Sequence, residues 1–127
     1  MKANLWTIFI AVLLVAVIGG YANLTARRLT EEYGRETDAI IALVENGEMT
    51  AGYEKAAAMK IKWAKDSRTL QLIAHHEDLK RVDAHIQMLE AGFGSQDRGI
   101  ALDALNGLEA DFEAIYQREA ITLENII

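Results

Sequence analysis

Residues 3–22 read ANLWTIFIAVLLVAVIGGYA, and the architecture turns on this stretch. It holds no charged residue, and between Leu5 and Ile18 only Thr7 interrupts the apolar run. At a helical rise of about 1.5 Å per residue such a segment spans roughly 30 Å, the thickness of a bilayer's hydrocarbon core. Two readings compete for it. As a membrane helix it has Trp6 and Tyr21 where interfacial aromatics belong, with Lys2 and Arg27-Arg28 on its flanks. As a secretory signal it has a basic start, an apolar centre and the small-x-small triplet Gly20-Tyr21-Ala22. The apolar centre is long for a signal, and the helical pattern runs past Ala22 unbroken. We therefore read residues 1–22 as an uncleaved transmembrane anchor and residues 23–127 as the domain it carries.

Orientation is set by weaker signals. Lys2 and the amino terminus are positive on one side, and Arg27, Arg28 and Arg35 on the other. Counting positive charge alone leads to a cytoplasmic domain or a tie, and nearby acidic residues count for little in that rule. The likeness of residues 1–22 to a signal sequence points the domain outward instead.

The net charge is −6, and the acidic excess lies wholly beyond residue 22. An acidic domain is a poor partner for nucleic acid, whose phosphates call for a basic surface. There is no cysteine, so disulfides and thiolate chemistry are absent, and there is no proline. A proline-free chain rich in Ala, Leu, Glu and Ile reads as long helices.

From Asn23 the first soluble helix carries Ala26, Leu29, Tyr33, Glu36, Ile40 and Leu43 at alternating spacings of three and four. Glu36 is the polar interruption, and Asn46-Gly47 supplies the stop. A second helix is expected from an N-cap near Thr50 to about Ala74, with Tyr53, Ala57, Ile61 and Ala64 as one apolar row. Met59, Trp63, Leu70 and Ile73 lie alongside that row. Its basic residues, Lys55 to Arg68, read as a solvated face or as a face laid beside the acidic last helix. At His75 to Asp78 either one long helix bends or a third helix begins at about Glu77, and the stripe Leu79, Val82, Ile86, Leu89 and Phe93 follows. Gly92 to Ser95 reads as a loop, with Ser95 as the next N-cap. The last helix has the stripe Ala101, Leu105, Leu108, Phe112 and Ile115, and Gly107 inside it points to a close helix contact or a kink. Ile121 to Ile127 is too apolar for a free tail and is expected to pack back. The fold class is all-α: a transmembrane helix continuing into an antiparallel bundle of three to four amphipathic helices.

One constellation could carry chemistry: His75, His76, Glu77 and Asp78, with His85 further along. Imidazoles and carboxylates together can hold zinc or another divalent metal. The spacing argues otherwise. Leu72, Ile73 and Val82 stand three before the histidines, so no Glu-x-x-His metal motif exists, and Lys80 occupies the position that would complete His-Glu-x-x-His. Adjacent histidines on a helix diverge by about 100°. Helix capping and local pairing with Lys80 or Arg81 is the favoured reading of this corner. Ser67 and Ser95 lie in no nucleophile-elbow context, and Gly92 and Gly94 form no phosphate loop. No catalytic residue and no cofactor is expected.

The order of features resembles the bacterial family catalogued as domain of unknown function 4363. The likeness rests on an anchor leading to a Gly47-Glu48 turn, an aromatic-Glu-Lys-Ala start at Tyr53 to Ala56, and Trp63 in a basic stretch. The His76-Glu77 step and the terminal Leu123-Glu124-Asn125-Ile126 complete it. The chain departs from the pattern at Gly92-Phe93-Gly94, where the family has longer charged helices. The resemblance implies a small single-anchor helical protein of Gram-positive bacteria, facing outward, with no activity or site residue attached. The expectation is a membrane-anchored interaction or accessory module, binding another membrane protein or itself, without catalysis. The alternative is a ligand- or metal-sensing domain using the His75–Asp78 corner.

Overall fold

The computed structural model describes the backbone of residues 2–126 and the side chains of residues 4–119. Four helices follow one another: α1 (Lys2–Glu45), α2 (Met49–Leu70), α3 (His76–Gly94) and α4 (Arg98–Ile126). The antiparallel bundle is a ring in which α1 and α3 flank α4, α2 packs on α1, and α2 meets α3 least closely.

α1 is 44 residues long and has two environments. Its amino-terminal half is exposed along every face, with Leu5, Ile8, Val12, Leu14 and Val17 each at least half accessible. This half is long and apolar enough to cross a membrane, with a mean hydropathy of 2.3 over its most apolar window. From Asn23 one stripe turns inward: Ala26, Leu29, Tyr33, Ile40 and Val44 are buried. Glu36 and Leu43 stay half-buried beside it, while Thr37 enters the core by bonding its hydroxyl back to the Tyr33 carbonyl at 2.7 Å. No proline or helix stop separates the halves, so the bundle begins without a linker.

The stop at Gly47 is as expected. Gly47 has φ +79°, and the Glu48 amide donates to the Leu43 carbonyl at 2.8 Å, closing a left-handed C-cap. Arg98, the first residue of α4, donates to the freed carbonyl of Glu45 and ties this far end together.

The stripes expected for α3 and α4 are buried throughout, from Leu79 to Phe93 and from Ala101 to Ile115. α2 departs from expectation. Its core face is Gly52, Ala56, Met59, Trp63 and Leu70, while Tyr53 and Ile61 point outward at 55% and 75% exposure. Trp63 explains the rotation: an indole buries more apolar surface than an isoleucine, and here it finds both ring partners and a hydrogen bond inside. Its ring meets Tyr33 at 5.3 Å and Phe112 at 5.7 Å, both edge-on, while Tyr33 stacks on Phe112 at 5.2 Å.

Four local expectations are corrected. Thr50 lies inside α2, whose N-cap is Glu48. α2 ends at Leu70, and residues 71–74 form a turn. Gly92 and Gly94 remain helical, because Phe93 between them is a buried anchor worth an added turn of α3. Ser95 caps the end of α3 by donating to the Ala91 carbonyl, and Asp97 takes the N-cap role, its Oδ1 accepting from the Ile100 amide at 3.1 Å. Among the described residues the basic face of α2 pairs with α1 and α3 and not with the acidic α4: Lys62 reaches Glu36 at 2.9 Å and Glu32 at 3.3 Å, and Lys60 reaches Glu90. The expected packing of Ile121 to Ile127 falls outside the described side chains.

Candidate functional site

His75, His76, Glu77 and Asp78 begin α3, and the structure separates them. His75 is the N-cap in extended conformation (φ −68°, ψ 131°), without a side-chain cap bond, and His75, His76 and Glu77 are exposed. Glu77 and Asp78 fall in the first turn, where the helix dipole favours negative charge. Asp78 turns inward and is buried. Its Oδ1 accepts from Arg81 at 2.8 Å and from Arg118 of α4 at 3.3 Å. The Arg118 Nε stands 3.0 Å from Oδ2, close enough for an ion pair though off the hydrogen-bonding angle. Pairing with Arg81 is the local arrangement expected from sequence, and Arg118 adds a clamp between helices.

His85 lies two and a half turns further along α3, roughly 13 Å from His76 at helical rise, so the corner and His85 do not converge. Its Nδ1 is 2.5 Å from Oδ2 of Asp111 on α4. Its ring also covers Gly107, where an added Cβ would lie 2.4 Å from Nε2. That is the close contact the glycine implied. Burial holds the Asp111 carboxyl above its ordinary range, with the His85 bond opposing the rise. A histidine oriented by a carboxylate is half of a nucleophile-activating pair, but both serines are engaged elsewhere: Ser67 bonds to Ala64 and Ser95 to Ala91. Among the described residues, no three His, Asp or Glu side chains gather as a metal-binding group.

Two features lay outside the sequence reading. One is the Tyr33–Asp66 bond, in which the buried phenol donates to Oδ2 at 2.7 Å. Burial and then Asp66 push this phenol well above its ordinary range, so it stays a donor at any physiological pH. The second is an apolar groove of about 440 Å³ between α2 and α3. Ile61 and Tyr53 form one wall, Ile86, Leu89 and Phe93 the floor and the other wall, and Lys60–Glu90 bridges the rim. Tyr53 meets Phe93 edge-on at 5.9 Å. The signal was present in the sequence: two apolar rows on α2, only one of which a single bundle can bury.

No curated protein and no solved structure is matched by the chain. The family model described as Domain of unknown function (DUF4363) matches residues 21–126, from the last turn of the apolar half of α1 to the end of α4. With the whole bundle inside that match, the chain belongs to this family.

Proposed function

We propose that the protein is a single-anchor membrane module whose helical bundle stands outside the cytoplasm and binds a helix of another membrane protein or of a second copy. It performs no catalysis of its own in this reading. The observation that carries it is the α2–α3 groove: Tyr53 and Ile61 are large apolar residues left in solvent at helical spacing beside buried Ile86, Leu89 and Phe93. A groove between two helices, apolar within and charged at its rim, suits an amphipathic helix laid along it. The exposed apolar half of α1 supports the tether, and the unbroken passage from α1 into the bundle holds the groove at a set height above the bilayer.

In-cell crosslinking of the tagged full-length chain, then detergent extraction and mass spectrometry, tests this. One dominant membrane-protein adduct or a self-adduct, lost on Ile61→Lys, is the expected result. Monomer alone, or an adduct indifferent to Ile61→Lys, would count against the groove. Because the chain lacks cysteine, a single Asn46→Cys variant reports orientation cleanly. Labelling of intact cells by a membrane-impermeant maleimide is expected, and labelling only after lysis would place the bundle inside.

A further inference from the structure

The end of the bundle nearest the apolar half of α1 has its own composition. Asn23 of α1 donates to the Glu119 carbonyl of α4, which puts these two residues at one level. Arg118, the residue before Glu119, stands 3.0 Å from Asp78 in the first turn of α3, so the α2–α3 turn sits close to that level too. Tyr21 is only two residues below, about 3 Å along the axis. α4 remains helical to Ile126, roughly 10 Å past the Asn23 level in the same direction. The turn is firmly built, with Ile73 and Ala74 amides both bonded to the carbonyl of buried Leu70. Even so, it holds Leu72 out at 85% exposure, the most exposed large apolar side chain described.

Around this base the charge reverses. The domain is acidic as a whole, yet Arg28, Arg68 and Lys80 ring the base, exposed and with no ion-pair partner among the described residues. His75 and His76 are exposed on the same turn as Leu72. Among the described side chains at this level Glu77 is the exposed acid, Glu119 is half-buried, and Asp78 is buried under Arg81 and Arg118. The far end carries Glu45, Glu48 and Asp97 beside Arg98.

We propose that the base of the bundle is a lipid-docking surface: the 71–76 turn rests in the headgroup layer, Leu72 enters the interface, and Arg28, Arg68 and Lys80 face anionic headgroups. An exposed apolar residue amid unpaired cations matches the chemistry of an anionic bilayer surface, to which juxtamembrane basic residues each add attraction. No flexible segment lies between anchor and bundle, so the surface meets lipid as soon as α1 is inserted. The proposal rests on the reading of residues 3–22 as a membrane span.

The test separates the two. Full-length single-cysteine variants Ile10→Cys, Leu72→Cys and Asn46→Cys are labelled with an environment-sensitive fluorophore and placed in nanodiscs containing anionic lipid. Lipids spin-labelled near the headgroup and deep in the chains then quench the label. The expected result is deep quenching at position 10, shallow quenching at 72 and none at 46. Replacing Arg28, Arg68 and Lys80 together with glutamine reduces the quenching at 72 toward that at 46. Quenching at 10 with position 72 behaving like 46 overturns the docking surface and leaves the anchor standing. Absence of quenching at 10 overturns the anchor reading and the docking surface together. Unchanged quenching at 72 in the triple variant or in purely zwitterionic discs overturns the assignment to anionic headgroups.

Discussion

The α3–α4 seam and the α2–α3 seam share one helix and are built in opposite ways. α3 approaches α4 so closely that Gly92 lies against the backbone of Ala101, where an added Cβ would be 2.7 Å from its amide nitrogen. Gly107 admits the His85 ring, and the seam is crossed by the Asp78–Arg118 and His85–Asp111 pairs. The α2–α3 seam has a glycine only at its far end, Gly52 against Phe93, and is spanned by Trp63–Asp83 at 2.8 Å and Lys60–Glu90. The apolar groove runs along this seam from Tyr53 and Phe93 to Ala64 and Ile86, with Lys60–Glu90 over its rim. Small residues with buried polar pairs bring two helices together, and large side chains with rim charges hold two helices apart. The first seam fixes the fold, and the second leaves a surface to be used.

That contrast can be broken at graded cost. Gly92→Ala meets backbone that cannot move aside, and we expect a loss of about 2–3 kcal/mol in chemical denaturation, near the upper end for overpacking. Asp78→Ala removes the carboxylate that two arginines share. Because Arg81 and Arg118 are half-exposed and can rehydrate, about 2 kcal/mol is expected, with the loss confined to the α3–α4 clamp. Gly107→Ala pushes out the His85 ring but improves helix propensity, so the two effects nearly cancel. With His85→Ala already present, the same change should stabilise by about 1 kcal/mol, and this difference between the two backgrounds in a double-mutant cycle is the check.

The Asp111 carboxyl adds a pH signature. Its folded value is raised above the ordinary 3.8 chiefly by burial, so the folded state holds a proton that the unfolded state has released. Stability from this group is present below the ordinary value and falls as pH rises from there through the raised one. Wild type should therefore lose stability relative to Asp111→Asn across that mild-acid window, as read by paired melts at stepped pH. The smallest stability effect belongs to the open seam. Ile61→Lys should change stability by less than about 0.5 kcal/mol, since its side chain is already in solvent.

Much of the fold is legible from spacing. Leu79 to Phe93 and Ala101 to Ile115 each repeat at threes and fours with no competing row, and both are buried as expected. Gly47 and Gly107 were readable because a glycine inside helical context has few structural explanations. α2 was misread because Tyr53–Ala57–Ile61–Ala64 is as regular as the row that is buried. Periodicity finds a helix and an apolar face, and only the partner rings of Tyr33 and Phe112 decide which face Trp63 draws inward. The caps were misplaced for a related reason: Thr50, Ser95 and Asp97 are all good cap residues, and tertiary packing of Phe93 extends α3 to Gly94, which leaves Ser95 at its C-cap. At the His75–Asp78 corner, the local pairing of Asp78 with Arg81 was legible. The Arg118 clamp was not, because it joins residues 40 apart in sequence.

The central claim is that the open α2–α3 seam is the working surface. A photo-crosslinking amino acid at position 61, with position 113 on an exposed face of α4 as control, tests it most directly in living cells. The account predicts a discrete adduct from position 61, with a membrane protein or a second copy, and none from 113. Equal adducts from both positions, or none from 61, would contradict it.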